Sequence, residues 1–566
     1  MSIRKTLAPF ALTLIIILPL FLVAACASGK SSDRVVYEIA QPATGLPSAA
    51  MPSPGVAYAM GMKAGSGLPE SAPPSWTSGQ PGEFNTEEYD RIVDNPFKKS
   101  MDNPVSTFSV DVDTASYANL RRFVMEMGEM PPKDAVRIEE MVNYFNYSYP
   151  EPSGGHPVAA AYAMAPAPWN PAHLLLRVAL KAKTVETKNL PASNLVFLLD
   201  TSGSMSDDNK LPLLKASLKF LVEKLRPEDR VAIVAYAGSA GLVLPPTPGS
   251  KKETIIAAFD QLEAGGSTAG GAGIRLAYDV AKANFIRGGN NRVILATDGD
   301  FNIGVSSTSE LERLIEDKRK ENIYLTVLGF GMGNYKDSRM ETLADKGNGN
   351  YAYIDNLLEG KKVLGKEIWG TLFAVAKDVK VQIEFNPAKV AEYRLIGYEN
   401  RLLAREDFND DTKDAGEMGS GHTVTAFYEL VPAASGAGSG AAGSGPSAPP
   451  ADPLAFQQQT LVPSEDMAVF KLRYKKPGDG AEASILVTDR LFEKALLVAE
   501  ADLDEDFRFA TAVVEFGMLL RDNPYKAQAS YQALFERARR AKGEDLEGYR
   551  AEFVRIVEMA EILDRE

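Results

Sequence analysis

The segment Leu195-Val-Phe-Leu-Leu-Asp200-Thr-Ser202-Gly-Ser204-Met205 decides how the rest of the chain is interpreted. It begins with five consecutive apolar residues, a pattern typical of a parallel strand that is buried on both faces. Because open α/β sheets bind ligands beyond the carboxyl ends of their strands, we expect Asp200, Ser202 and Ser204 to lie at a binding site. Side chains that offer only oxygen atoms favour hard cations such as Mg²⁺, Mn²⁺ or Ca²⁺.

Predicted strands and helices alternate around this segment, from about residue 193 to residue 378. Further strands are predicted over 229–236, 292–296, 323–330 and 351–354, and helices over 211–225, 253–262, 270–285, 309–321 and 357–375. This alternation predicts a doubly wound, mostly parallel sheet.

Two more loops in this region carry oxygen ligands. Gly265-Gly-Ser-Thr268 leads into a predicted helix, and Thr297-Asp298-Gly299 follows a predicted strand. If the strands that precede Asp200 and Asp298 are neighbours, both carboxylates lie at the same edge of the sheet.

The motifs D-T-S-G-S, G-G-S-T and T-D-G occur here in an order and spacing that resemble the metal-ion-dependent adhesion site of a von Willebrand factor type A (VWA) domain. The resemblance covers residues 193–378. Segments on both sides, around Asn95-Pro-Phe, Phe108–Asp113 and Tyr398–Leu403, resemble the YfbK-like subfamily of bacterial VWA lipoproteins.

The resemblance implies a divalent-cation site and a protein ligand. Three hydroxyls would bind the cation directly, and two carboxylates would act largely through bound water. A carboxylate from an Asp or Glu of a partner protein would fill the open coordination position. Mg²⁺ is the favoured ion, with Mn²⁺ and Ca²⁺ as alternatives. The implied metal-binding residues are Asp200, Ser202, Ser204, Thr268 and Asp298.

Catalytic interpretations of the same residues are weaker, so we predict that the protein is not an enzyme. The glycine-rich loop at 265–273 lacks the G-K-[ST] of a phosphate-binding loop. Ser202 has no histidine in the local motifs, and its surroundings do not match G-x-S-x-G. Two alternatives stay open: an envelope hydrolase that uses a metal-bound water, and a structural envelope protein whose site is vestigial.

The N-terminus has the pattern of a bacterial lipoprotein signal. Arg4 and Lys5 precede an uncharged run over 7–25, which is typical of a signal peptide. Val23-Ala-Ala-Cys26 resembles a lipobox, so we predict a signal peptide over 1–25 and lipidation of Cys26. Residues 26–82 are rich in Pro, Gly, Ser and Ala and predict a disordered tether. The protein is expected at the cell envelope, on the outer membrane facing the periplasm in a diderm bacterium.

Composition argues against three other kinds of protein: nucleic-acid-binding, disulfide-rich and histidine-ligated zinc proteins. A formal net charge of −14 over 566 residues argues against a nucleic-acid partner, which requires a basic surface. The single cysteine excludes an intrachain disulfide framework. None of the three histidines, His156, His173 and His422, has a zinc-like spacing.

The flanks of the central region predict additional layers. Residues 83–156 form an N-terminal VWA-associated region, in which Asp111 and Asp113 are interpreted as caps of the following helix rather than as metal ligands. Alternating segments over 157–192 and 379–490 predict a β-sandwich with a flexible insertion at 432–453, and residues 491–566 predict amphipathic helices. The predicted fold class is therefore α/β, with a central doubly wound sheet, a flanking β-sandwich and a C-terminal helical region.

Overall fold

The computed structural model of the protein describes residues 87–267, 270–299, 308–333, 335–413, 415–433, 461–478 and 483–565. The predicted signal peptide, Cys26, the predicted tether, Thr268 and nearly all of the predicted insertion lie outside these residues. Within the described ranges, no helix has both the length and the apolar character that a membrane span requires.

The strands of the described residues form three sheets. In chain order, they are β1 Lys98–Lys99, β2 Val105–Ser109, β3 Val158–Ala167, β4 Asn170–Ala182, β5 Ser193–Asp200, β6 Arg230–Tyr236, β7 Ala240–Pro248, β8 Asn290–Thr297, β9 Tyr324–Gly329, β10 Tyr351–Tyr353, β11 Ala374–Phe385, β12 Val390–Ile396, β13 Met418–Gly419, β14 Thr423–Pro432, β15 Asp466–Lys475 and β16 Ile485–Phe492.

The α-helices surround the central sheet and close the C-terminal end of the chain. They are α1 Ala115–Arg121, α2 Ile138–Asn143, α3 Leu211–Lys224, α4 Lys252–Asp260, α5 Gly270–Ala283, α6 Thr308–Lys320, α7 Asp337–Lys346, α8 Leu357–Gly360, α9 Ile368–Leu372, α10 Glu493–Leu496, α11 Glu505–Leu520, α12 Tyr531–Arg540 and α13 Tyr549–Leu563.

The central sheet has the strand order β10-β9-β8-β5-β6-β7. All neighbouring pairs are parallel except β6 and β7. Alternate residues of β5 serve two different cores, because successive side chains of a strand point to opposite faces. Leu195, Phe197 and Leu199 pack with helices α3 and α4, whereas Val196 and Leu198 pack with α5, α6 and α7. The predicted fold class is confirmed.

Two antiparallel sheets share a second core beside the central sheet. One has the order β1-β12-β14-β4-β3, and the other has the order β13-β11-β15-β16 with β2 also pairing with β11. Their facing apolar side chains form one buried cluster, which includes Phe108, Val178, Ile383, Tyr428 and Phe470. Strand β2 of the N-terminal region therefore completes the sandwich.

The C-terminal helices pack on one another, on α2 and on the sandwich. Their buried cluster joins Phe509 and Phe516 of α11 and Phe553 of α13 to Phe145 and to Trp169 at the turn between β3 and β4. Polar groups start two of these helices, since Asp504 accepts a hydrogen bond from the Phe507 N–H and Ser530 accepts one from the Ala533 N–H.

The last helix of the central region is shorter than predicted. In place of one helix over 357–375, α8 ends at Gly360, a wide π-helical turn spans Lys361–Lys366, and α9 ends at Leu372. Gly360 lies where α8 packs closely on α3, since a Cβ atom at that position would lie 2.1 Å from the Ser217 hydroxyl.

The interpretation of Asp111 and Asp113 as helix caps is wrong. Helix α1 has no side-chain cap, and the N–H of Ser116 in its first turn donates instead to Glu140. Asp113 accepts a hydrogen bond from the Tyr351 N–H at 2.8 Å and lies 3.6 Å from the guanidinium of Arg401. Asp113 therefore joins the N-terminal region to β10 of the central sheet, and both carboxylates lie within 4 Å of Arg401, which follows β12 of the sandwich.

Candidate metal centre

Two aspartates meet at the carboxyl edge of the central sheet. Strands β5 and β8 are parallel neighbours, with Leu199 opposite Ala296, so Asp200 at the end of β5 and Asp298 just beyond the end of β8 lie at the same edge of the sheet. Both residues are buried. Burial raises the pKa of the Asp200 carboxyl, hydrogen bonds from Ser202 lower it, and the charge of Asp298 raises it again. Two close carboxylates at one edge create a site with affinity for positive charge.

The serine hydroxyls lie beside each other just beyond Asp200. Ser202 Oγ and Ser204 Oγ are 3.0 Å apart on a single 3₁₀ turn. Ser202 is buried and Ser204 is exposed, so the pair reaches from the sheet edge to solvent. Met205, which is fully buried in the core, fixes the turn between them and helix α3.

The second glycine-rich loop is attached to this turn by backbone hydrogen bonds. The Gly203 N–H donates to the Gly266 carbonyl at 3.0 Å, and the Gly265 N–H donates to the Thr201 carbonyl at 2.8 Å. The start of the G-G-S-T motif therefore lies against the D-T-S-G-S motif. Thr268 lies outside the described residues, and its role as a third hydroxyl ligand remains a prediction.

The Asp200 carboxylate is held by the hydroxyl of Thr297, from the T-D-G motif, and by that of Tyr236, which the sequence analysis did not single out. Tyr236 Oη and Thr297 Oγ1 donate to Asp200 Oδ2 at 3.0 and 3.1 Å, and the Ser202 N–H donates to Oδ1 at 2.9 Å. Burial, followed by the charge of Asp200, raises the pKa of Tyr236 well above its usual value, so the phenol remains a donor. Asp200 is thus fixed in orientation by three donors.

Lys210 is a further residue of the site that the sequence analysis missed. Its ammonium donates to the Ser204 carbonyl at 2.9 Å and lies 3.3 Å from Asp298 Oδ2 and 3.2 Å from Asp207 Oδ2. Lys210 lies immediately before helix α3 and belongs to none of the three motifs, so no sequence pattern pointed to it.

The residues at this edge fit a hard divalent cation. They supply two carboxylates and two adjacent hydroxyls, and hard cations prefer oxygen ligands. The ammonium of Lys210 lies 3.3 Å from Asp298 Oδ2 and offsets part of the negative charge at this edge. Across the described ranges, no group of three or more His, Cys, Asp or Glu side chains is arranged to hold a metal ion, and the candidate site combines two carboxylates with hydroxyls.

The histidines, which would be the natural general bases of a hydrolase, belong to other parts of the fold. His156 contacts the Tyr474 hydroxyl and His173 contacts Glu429, both in the sandwich. His422 precedes strand β14 of the sandwich, and burial lowers its pKa to about 4. The candidate site therefore offers oxygen atoms that fit a cation, and none of the three histidines lies beside Ser202.

Family profiles match most of the described chain. The profile for "von Willebrand factor" matches residues 83–177, and that for "von Willebrand factor type A domain" matches residues 194–362. The central sheet and its oxygen-rich edge define a VWA-domain protein. VWA domains are in general protein-interaction modules and not enzymes.

The flanking layers assign the chain to a particular family within this class. The profile "Uncharacterized protein YfbK, C-terminal" matches residues 370–563. The chain is also 46% identical over 484 residues to "Uncharacterized protein YfbK" of Escherichia coli (strain K12), covering 84% of this chain and 81% of that protein. The chain belongs to the YfbK family of VWA proteins.

Two solved structures are similar to parts of the fold. A "von Willebrand factor type A" structure from Catenulispora acidiphila is 13% identical, covers 80% of this chain and 89% of that one, and has a TM-score of 0.37. Proximal thread matrix protein 1 from the mussel byssus, "with zinc occupied MIDAS motif", is 25% identical, covers 31% of this chain and 44% of that one, and has a TM-score of 0.26.

Proposed function

We propose that the protein is a metal-ion-dependent adhesion or scaffold module of the cell envelope, which binds a partner carboxylate through a divalent cation. The observation that carries the proposal is the convergence of Asp200, Asp298 and the paired hydroxyls of Ser202 and Ser204 at one sheet edge. Ser204 is exposed, so the site can be reached from solvent.

Charge balance explains why such a site would bind another carboxylate. Asp200 and Asp298 carry about two negative charges together, which nearly neutralise a divalent cation. The hydroxyls of Ser202, Ser204 and Thr268 add coordination without adding charge. The cation would keep enough positive field to attract an Asp or Glu side chain of a partner at the remaining position. Mg²⁺ is the ion we propose, and Mn²⁺ or Ca²⁺ would satisfy the same oxygen ligands.

Lipidation of Cys26 would place this site at a membrane surface. The tether proposed for residues 26–82 would hold the folded part away from the bilayer, so that the site faces proteins of the envelope. In a diderm bacterium, the proposed location is the periplasmic face of the outer membrane.

Affinity capture from a cell-envelope extract of the source organism tests the proposed function. We expect the wild-type protein to retain a partner in Mg²⁺ and to release it in EDTA, because the cation forms the bridge. Ser202→Ala and Thr268→Ala should each lose the partner in Mg²⁺. The matched control is Thr187→Ala, at an exposed position before the opposite, amino end of β5, which should behave as wild type. Capture that is equal in Mg²⁺ and EDTA would contradict the proposal.

A further inference from the structure

Lys210 brings an ammonium group into the candidate metal centre. Only 9% of the residue is exposed, although lysine is seldom buried without a partner. Its ammonium contacts the Ser204 carbonyl at 2.9 Å and Asp298 Oδ2 at 3.3 Å. It therefore touches both the hydroxyl turn and the second carboxylate of the site.

The loop after β9 is shaped to admit the lysine side chain. Gly331 has a φ of +77°, and a Cβ atom there would lie 2.4 Å from Lys210 Cε and 2.8 Å from Lys210 Cγ. The Gly331 carbonyl also accepts a hydrogen bond from the Tyr353 hydroxyl, which holds the loop in place. Any larger residue at this position would displace the lysine stem, so Gly331 leaves the space through which Lys210 reaches the site.

We propose that Lys210 is a resident cation of the site, which keeps Asp298 in position without metal and sets the affinity for the divalent cation. This inference rests on the proposed function. Without a metal, Asp200 and Asp298 repel each other, and the ammonium offsets part of that repulsion. When a divalent cation binds, the same ammonium opposes it, because like charges close together at a poorly solvated site repel strongly. The ammonium therefore lowers the affinity of the site for the divalent cation.

A substitution that removes the charge of Lys210 separates the electrostatic effect of its ammonium from the packing of its side chain. Lys210→Gln keeps a group that can donate to the Ser204 carbonyl but removes the positive charge. Isothermal titration of the purified full chain with MgCl₂ should show Mg²⁺ binding about tenfold tighter in Lys210→Gln than in wild type. The melting temperature in EDTA should fall, because the two carboxylates lose their counter-charge. Lys210→Arg, which keeps the charge, should remain within about threefold of the wild-type affinity.

Lys215→Gln, in the first turns of helix α3 just after Lys210, is the matched control. The Lys215 ammonium donates to the carbonyls of Asp260 and Leu262, away from the carboxylates of the site, so its loss should leave Mg²⁺ affinity unchanged. If wild type binds Mg²⁺ and Lys210→Gln binds it no more tightly than wild type does, the role of Lys210 is overturned while the proposed function stands. If Lys210→Gln fails to fold, Lys210→Arg decides the question, and Mg²⁺ binding by Lys210→Arg that differs from that of Lys215→Gln by more than about threefold would overturn the role of the Lys210 charge. No Mg²⁺ binding by wild type would overturn the proposed function and this inference together.

Discussion

Replacing Arg121 with methionine is expected to lower the free energy of unfolding by about 3–5 kcal/mol. Arg121 is 5% exposed, and its guanidinium lies 2.5 Å from Asp355, 2.7 Å from Glu359 and 2.8 Å from Glu552. Methionine fills a similar volume but leaves these carboxylates without their cation. Burial already raises the pKa of Asp355 to about 6, and loss of the arginine would raise it further.

This substitution also tests how the layers are held together. Arg121 lies in α1, Asp355 and Glu359 follow β10 of the central sheet, and Glu552 lies in α13. Urea unfolding of Arg121→Met measures the loss. The control is Arg275→Met, because Arg275 and its partner Glu310 are 52% and 57% exposed and such a pair contributes little, less than about 1 kcal/mol. Equal stability of the two variants would show that the ion pairs of Arg121 do not stabilise the contact between these layers.

Replacing Phe553 with alanine is expected to cost about 3–5 kcal/mol of unfolding free energy. Phe553 is fully buried. Its ring centroid lies 5.7 Å from that of Phe145, 5.3 Å from that of Phe509 and 5.5 Å from that of Phe516, in edge-to-face arrangements. The substitution removes these aromatic contacts and leaves a cavity between α13, α11 and the residues that follow α2.

Thermal and urea unfolding of Phe553→Ala should show the loss in a cooperative transition shared by the whole folded part. Leu546→Ala is the control, because Leu546 is 86% exposed and its truncation should change stability by less than about 0.5 kcal/mol. A wild-type-like melting curve for Phe553→Ala would mean that the C-terminal helices are not docked as the structure shows. Their face would then be open for a partner.

The carboxyl edge of the central sheet could be predicted from sequence because its ligands follow the strands directly. The apolar run before Asp200 identified β5, and the run before Asp298 identified β8. Once both were taken as parallel strands, their carboxylates had to emerge at the same edge. This local reasoning needed only the order of strands and loops, which the alternating pattern supplies.

The residues that orient the site could not be found in the same way. Tyr236 ends β6 opposite Asp200 in the sheet register, but a tyrosine at a strand end is ordinarily a core residue. Asp298 is 88 residues after Lys210 in the chain, and only the folding of the sheet brings the two side chains together. Asp113 looked like a helix cap because its partners, Tyr351 and Arg401, are more than 200 residues away. Each of these contacts depends on tertiary packing that no local pattern records.

The most direct test of the account is the effect of Mg²⁺ on the melting temperature of the purified protein. A cation that binds only the folded state stabilises it, by about 2.7 kcal/mol when its concentration is 100 times the dissociation constant. We predict that millimolar Mg²⁺ or Mn²⁺ raises the melting temperature of wild type relative to EDTA and that Asp200→Ala shows no such rise. A wild-type melting temperature that is the same in EDTA and in millimolar Mg²⁺ or Mn²⁺ would contradict the metal centre and the function built on it.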